Sequence, residues 1–122
     1  MFTESKYFGT PEYTLVFERL KAVANKRELL IGYSIVFDLM KLKPGNYAAS
    51  EAGHMLGEIS ERMHSEGKPM LSAVVVNQQT GMPGDGFFVL ASMLEKLSSD
   101  ATAEQREAFW KRGLKAVYST SW

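Results

Sequence analysis

Two histidines in this chain each follow a glutamate at a spacing of three residues, Glu51 before His54 and Glu61 before His64. On a helix that spacing places a carboxylate and an imidazole on one face, as in bundles that bind paired metal ions. The two pairs are ten residues apart on one predicted helix, which is about 15 Å along its axis, so they cannot share one metal pair. We therefore predict a solvated polar face, with no metal site and no cofactor.

A nucleophilic enzyme needs an activated serine, threonine or cysteine. The chain has no cysteine, which excludes a thiol nucleophile, a disulfide framework and any cysteine-ligated zinc or iron–sulfur site. Ser72 lies at the start of a predicted strand, but the Gly-x-Ser-x-Gly turn is absent and no aspartate is spaced to orient a histidine. The sequence therefore predicts no catalytic residue and a protein that is not an enzyme.

Three glycines, Gly81, Gly84 and Gly86, precede a predicted helix. Backbone amides at a helix start can hold an anion, so one alternative is a small-ligand protein or enzyme that uses this loop together with His54 or His64. The Gly-Lys-Ser/Thr ending of a phosphate-binding loop is absent, and the spacing is not that of a dinucleotide-binding loop. We favour a tight turn that needs positive φ at its glycines.

Five predicted helices and one strand position these residues. Capping residues and apolar stripes at steps of three and four predict helix starts at five places, namely Thr10, Ser34, Asn46, Phe87 and Thr102. The third helix carries the clearest inward stripe, which consists of Ala52, Met55, Leu56, Ile59 and Met63. The β-branched run within residues 70–76 predicts a strand, and the Gly- and Pro-rich residues 77–86 predict a loop.

This order of elements is that of a winged helix-turn-helix. We therefore predict an α+β, mainly helical fold: a winged-helix-like domain of about five helices with a small strand and wing. The whole chain, 1–122, forms one domain. Within it we expect an N-terminal arm at 1–9, a winged-helix-like core at 32–88 and a C-terminal helix in 101–122.

Charge argues against the usual winged-helix mode of DNA binding. The chain has 14 basic and 14 acidic residues, and the third helix has one arginine against four glutamates between residues 46 and 67. A groove-reading helix is normally basic, because it approaches phosphates. A nucleic-acid-binding winged helix stays an alternative, with a surface formed by Lys26, Arg27, Lys41, Lys43, Asn77, Gln78, Gln79 and Thr80.

Residues 68–88 carry a distinctive pair of motifs. Their Pro-x-Leu-Ser-Ala-x-Val-Val-Asn stretch and the following Thr-Gly-x-Pro-Gly-x-Gly-Phe-Phe resemble a group of small bacterial and phage domains, over about residues 30–122. The resemblance implies a phage or mobile-element accessory protein that modulates or inhibits a host system, an anti-defence role. It brings no assigned activity.

More remotely, the order of elements is similar to the winged-helix domain of the alkyltransferase family. In that family a Tyr-Gly turn opens the short helix and a Pro-Cys-His-Arg-Val-Val segment follows the longer one. Here Gly32 and Tyr33 stand at the turn, but Pro69 is followed by Met70 instead of the alkyl-accepting cysteine. The resemblance implies the fold and does not extend to DNA repair, because fold alone does not imply function.

The sequence therefore favours a non-catalytic binding protein that acts through protein–protein contacts. The expected contact surface is the acidic face of the third helix, formed by Glu51, His54, Glu58 and Glu61. Its charge suits a charged protein partner or a self-complementary homodimer. No run of about 18 apolar residues or signal peptide is present, so we expect a cytoplasmic protein that does not bind membranes.

Overall fold

The segment 70–76 forms the centre of the fold, and every residue in it is buried. The computed structural model describes residues 5–122, so the first four residues of the predicted arm lie outside the described residues. Helices α1 (Pro11–Asn25), α3 (Asn46–Ser65) and α5 (Ala103–Tyr118) all pack against this segment. The surrounding helices bury their apolar stripes on it, because that burial is the main stabilising contribution available to a domain of this size.

Helix α3 is the longest helix in the described residues, and its predicted inward stripe is confirmed. Ala52, Met55, Ile59 and Met63 are at most 2% exposed, and Leu56 is buried beside them. Their spacing of three and four residues keeps them on one face. Helix α2 (Tyr33–Leu39) also packs against α3.

The helix starts at the two threonines are confirmed. The Thr10 hydroxyl accepts a hydrogen bond from the Tyr13 amide at 3.2 Å, and Thr102 forms a reciprocal capping box with Gln105. The predicted caps Ser34 and Asn46 are wrong, because the helices begin earlier than those caps require. Gly32 and Gly45 are the N-cap residues, and Ser34 and Asn46 already belong to the first turns.

The predicted strand at 70–76 is mostly wrong. A 3₁₀ turn occupies Leu71–Val74, and only β2 (Val75–Val76) is extended. It pairs in parallel with β1 (Ile31–Gly32), in the register Ile31 opposite Val75 and Gly32 opposite Val76. Because β1 is two residues long, it cannot pair with the earlier part of the segment, and buried backbone groups must find other partners.

Side chains of the flanking helices supply those partners. The Ser60 hydroxyl oxygen accepts from the Ser72 amide at 3.0 Å, and the Trp110 indole donates to the Ala73 carbonyl at 2.9 Å. The β-branched composition of this segment therefore reflects burial on all sides instead of a sheet. The fold is mainly helical with a small two-stranded parallel sheet.

The predicted wing is a short loop in the structure. A single antiparallel bridge joins Asn77 to Met82, and α4 (Asp85–Met93) follows directly. Phe87, Leu90 and Ala91 of its predicted stripe are buried, but the helix ends at Met93, before the last apolar residues of that stripe.

Candidate functional site

A cavity of about 540 Å³ lies between α2, the first half of α3, the loop 77–84 and the start of α4. We call it the α2–α3 cavity. Four large apolar side chains line it from three helices, namely Phe37, Leu56, Phe87 and Leu90. Polar side chains face them from α2 and the loop, namely Tyr33, Ser34, Asn77, Gln78 and Gln79. A lining that combines rings with a few amide and hydroxyl groups is typical of a ligand site.

Missing side chains on α3 keep this cavity open. Ala49, Gly53 and Gly57 line it, and their spacing of four residues places them on one face of the helix. A Cβ atom built on Gly53 meets no other atom within 4 Å, so the space above this position is empty. Glycine inside a helix costs about 0.5–1 kcal/mol relative to alanine. The helix therefore carries a less favourable residue where a side chain would enter the cavity.

Tyr33 and Gly84 form a close contact at the cavity wall. The Gly84 amide donates to the Tyr33 hydroxyl at 2.9 Å, and a Cβ on Gly84 would lie 2.9 Å from the same oxygen. Glycine is therefore required at position 84 because the Tyr33 hydroxyl lies so close to it. The backbone does not require glycine, because a φ of −68° is one that any residue adopts. Burial raises the pKa of Tyr33 above its ordinary value, and the smaller, opposite effect of the Gly84 hydrogen bond does not cancel this. The phenol keeps its proton at neutral pH and can donate it to an occupant.

The loop 77–82 is held by its own hydrogen bonds. The Asn77 carboxamide oxygen accepts from the Gln79 amide at 2.8 Å, and the Asn77 carbonyl accepts from the Gly81 amide at 2.7 Å. Gly81 has a φ of +73°, so the predicted positive φ holds for this glycine. The Thr80 hydroxyl accepts from the Met82 amide and does not line the cavity. These bonds fix the turn from which Asn77 and two glutamines reach the cavity.

Gln78 is placed by the absence of a side chain in β1. A Cβ atom on Gly32 would lie 2.8 Å from the side-chain nitrogen, Nε2, of Gln78. The Gln78 side chain therefore packs directly on the backbone at the start of α2. Glycine at position 32 permits this contact, which brings one loop amide group next to Tyr33.

Asp85 is the one carboxylate among the described lining residues. Its carboxylate pairs with the Arg106 guanidinium at 2.6 Å. Among residues 5–122, no lysine, arginine or histidine lines the cavity. The amides of Gly81 and Gly84 already donate within the chain, and Gly86 is a first-turn residue of α4. The loop therefore offers little to a phosphate, and the anion-binding alternative for these glycines receives no support from the geometry.

None of the described lining residues is an activated nucleophile. Ser72 lines it, but its hydroxyl and amide bond to Ser60, with 2.6 Å between the two hydroxyl oxygens. A second serine cannot act as a general base at neutral pH. His54 and His64 do not line the cavity. The small-ligand alternative, in which one of these histidines acts together with the glycine loop, therefore receives no support here.

The predicted contact surface on α3 is placed differently from expectation. Glu58 is 6% exposed and Glu61 is 4% exposed, so the predicted solvated face is wrong for these two carboxylates. Glu58 accepts backbone hydrogen bonds from Tyr7 and Phe8, at 2.9 Å and 3.2 Å. A charge can be buried in this way because it is hydrogen-bonded. Part of the predicted contact surface is thus covered by the chain's own arm.

Two further contacts hold the arm to α3. Glu51 accepts from the Lys6 ammonium group and from the Tyr7 hydroxyl, and these hydrogen bonds lower the pKa of Glu51. His54 lies 3.2 Å from Glu58 and meets the Tyr7 ring edge-on. Among residues 5–122 no three histidine or carboxylate side chains gather as a metal site would need.

The basic residues of the nucleic-acid alternative stand apart from the cavity lining. Lys26 and Arg27 follow α1, and Lys41 and Lys43 follow α2, all four with exposed side chains. Asn77, Gln78 and Gln79 of the same alternative do line the cavity. The structure therefore separates the cationic half of this predicted surface from the site that its amide half helps to form.

Four residues of this cavity were not predicted as site residues, namely Tyr33, Phe37, Gly53 and Gly57. One signal was present, since two glycines four residues apart are unusual inside a helix with a clear apolar stripe.

Within residues 5–122 no helix is both long and apolar enough to cross a bilayer. No family model, curated protein or solved structure matches this chain.

Proposed function

We propose that this protein is a non-catalytic binding domain of the winged-helix type. Its α2 and α3 correspond to the helix-turn-helix pair, and the loop closed by the Asn77–Met82 bridge corresponds to a reduced wing. The order of elements supports this assignment. In such a domain the α2–α3 cavity lies between the second helix of the pair and the wing.

We further propose that the domain contacts a protein partner by taking one of its side chains into the α2–α3 cavity. The observation that carries this proposal is the open space at Gly53, in a cavity where the described lining residues form no catalytic pair. Anchor side chains that fill pockets supply much of the binding energy of protein interfaces. The cavity therefore suits a partner's anchor residue.

The lining indicates which anchor would fit. Phe37 and Phe87 offer apolar surface to a ring, whereas Tyr33 can donate one hydrogen bond and Gln78 can both donate and accept. The described lining residues offer no cation to an anionic group. The favoured occupant is thus an uncharged aromatic side chain with a polar edge, such as tyrosine or tryptophan, which are the residues enriched in interface anchors.

Filling the cavity tests the proposal. Gly53→Leu would place an isobutyl group at the cavity wall, and its Cβ would meet no other atom within 4 Å. Gly113→Leu is the matched control, because Gly113 lies inside α5, outside the cavity lining, and is equally free of neighbours. Proteins from the native host that co-purify with wild type and with Gly113→Leu, but not with Gly53→Leu, would support the proposal. Partners retained by Gly53→Leu would contradict it.

The identity of the recovered proteins also bears on the anti-defence role implied by the motif resemblance. A component of a host defence system that depends on an open cavity would support that role. A housekeeping partner with the same dependence would contradict it while supporting the binding function.

Nucleic-acid binding is the second candidate. The observation that favours it is the set of three amide side chains, Asn77, Gln78 and Gln79, at a cavity beside α3. Amides can hydrogen-bond base edges. A fluorescence-anisotropy titration at two salt concentrations tests this candidate, since a phosphate-contacting protein loses affinity steeply with salt. Salt-sensitive micromolar binding that Gly53→Leu abolishes would favour this candidate over the protein partner.

A further inference from the structure

A second cleft, of about 430 Å³, lies further along α3 and is lined by three cations from three parts of the chain. Lys21 comes from α1, Arg62 from α3, and Lys68 from the segment after α3. We call it the cationic cleft. Arg62 follows Gly53 by nine positions, which separates them by about 13 Å along the helix axis. The two sites are therefore distinct.

Each cation of the cleft lies against an aromatic ring. The Lys21 ammonium nitrogen is 4.6 Å from the Phe17 ring centre, and the Lys68 nitrogen is 5.8 Å from the Trp122 ring. The Arg62 guanidinium carbon is 3.5 Å from the Phe8 ring centre. A guanidinium stacked on a ring keeps its N–H groups at its edge, where they can bind oxygen atoms.

Carboxylates neutralise this cluster only in part. Glu18 pairs with Lys21 at 2.8 Å, and Glu66 lies 3.6 Å from Lys68 at the cleft rim. Both carboxylates are about half exposed or more, at 61% and 47%. No carboxylate of residues 5–122 forms an ion pair with Arg62. Arg62 is thus the cation best placed to take an external anion.

A buried hydroxyl at the cleft points to a missing partner. Tyr13 lines the cleft and is 4% exposed, yet its hydroxyl hydrogen finds no acceptor among residues 5–122. An unsatisfied buried polar group is unfavourable, so such groups are rare in folded proteins. Burial raises the pKa of Tyr13, whereas the charge of Arg62 and the approach of its N–H groups to the phenol oxygen oppose that shift without cancelling it. The phenol stays protonated and can donate to an oxygen that reaches it.

We propose that the cationic cleft binds a small organic anion in which a phosphate or carboxylate is attached to an aromatic ring. Arg62 and Lys68 bind the anionic oxygens, Tyr13 donates to one of them, and the ring of the ligand packs against Phe17 and Trp122. The proposal does not depend on the function of the α2–α3 cavity. Ring and charge are both required, because the cleft provides apolar rings and cations side by side.

Nuclear magnetic resonance titration of the full chain tests this with phenyl phosphate and benzoate as probes. Three further compounds separate the contributions: inorganic phosphate carries charge alone, benzyl alcohol a ring alone, and phenethylamine a ring with the opposite charge. We expect the two aryl anions to shift Arg62 and Trp122 signals and to bind about tenfold more tightly than the other three. Equal affinity for phenethylamine, or shifts confined to other parts of the chain, would overturn the proposal.

Substitutions complete the test. Arg62→Gln and Lys68→Gln should each weaken phenyl phosphate binding, the former by about tenfold. Arg112→Gln, on the exposed surface of α5, is the matched control and should bind as wild type does. Tyr13→Phe should weaken binding without lowering the unfolding midpoint of the empty protein, which separates a ligand contact from a structural role. Unchanged binding in both Arg62→Gln and Lys68→Gln would overturn the proposal.

Discussion

The carboxylate of Glu58 fastens the N-terminal arm to the domain, and its removal should release that arm. Glu58 is 6% exposed and accepts hydrogen bonds from two backbone amides of the arm, those of Tyr7 and Phe8. His54 also contacts it, at 3.2 Å. In Glu58→Gln the oxygen that accepts from Tyr7 at 2.9 Å becomes an amide nitrogen. The oxygen that remains is within reach of both amides, at 3.1 Å and 3.2 Å, but it is neutral, and hydrogen bonds to a neutral oxygen are about half as strong as those to a carboxylate.

The size of the effect follows from the type of bond. A hydrogen bond to a charged group contributes about 1.5–3 kcal/mol. The loss has an upper bound, because the arm can undock and its amides can then bind water, so the substitution costs no more than the docking free energy of the arm. We therefore expect Glu58→Gln to weaken the docking of the arm by about 1.5–3 kcal/mol. The packing of α1, α3 and the segment 70–76 should stay intact.

Amide hydrogen exchange measures this docking directly. Since about 1.4 kcal/mol corresponds to a factor of ten, exchange at Tyr7 and Phe8 should accelerate by about 10- to 100-fold in Glu58→Gln. Glu107→Gln is the control, because its exposed pair with Lys111 contributes well under about 1 kcal/mol. Unchanged exchange at both arm amides in a folded Glu58→Gln protein would refute the assignment of Glu58 as the residue that holds the arm.

Three further predictions concern the core, the helices and pH. Ser60→Ala should cost about 1–3 kcal/mol in urea unfolding and more than Ser72→Ala, because it leaves the buried Ser72 amide without an acceptor; equal costs would contradict this. Gly53→Ala and Gly113→Ala should each raise stability by about 0.5–1 kcal/mol, since neither Cβ meets a neighbour, and a lower unfolding midpoint for either would show that the space is not free. Burial, followed by its hydrogen bond to a carboxylate, raises the pKa of Tyr7. The stabilising contribution of its neutral phenol is therefore complete below the ordinary tyrosine pKa of about 10 and is lost as pH rises through the higher folded-state pKa. Phenolate absorbance of wild type minus that of Tyr7→Phe should show one phenol that titrates above the ordinary range, and titration at about 10 would contradict the contact.

Periodicity and capping predicted most of the helices. The stripe from Ala52 to Met63 and the capping box at Thr102 depend only on residues close in sequence, so they can be inferred without a fold. Residues 70–76 could not be assigned in this way, because a β-branched run is equally suited to a strand and to any segment buried on all sides. The partners that distinguish the two here, Ser60 and Trp110, are distant in sequence.

The site was predicted less well than the fold. Glu58 was predicted to be solvated because the contacts that bury it come from the arm, and nothing in its spacing indicates that Tyr7 and Phe8 donate to it. The cavity was missed because an absence of side chains leaves only a weak trace in a sequence. Gly53 and Gly57 line the cavity and have no side chain to fill it. Functional motifs are recognised by residues that bear reactive groups, which glycine does not have.

The measurement that tests the central claim most directly is the affinity of the captured partner for three forms of this protein. Isothermal titration with wild type, Gly53→Leu and Gly113→Leu compares an open cavity, a filled cavity and an equal substitution elsewhere. If a partner side chain enters the α2–α3 cavity, Gly53→Leu should weaken binding by about tenfold or more, and Gly113→Leu should stay within about twofold of wild type. Equal affinity of Gly53→Leu and wild type would contradict the claim that this cavity is the recognition element.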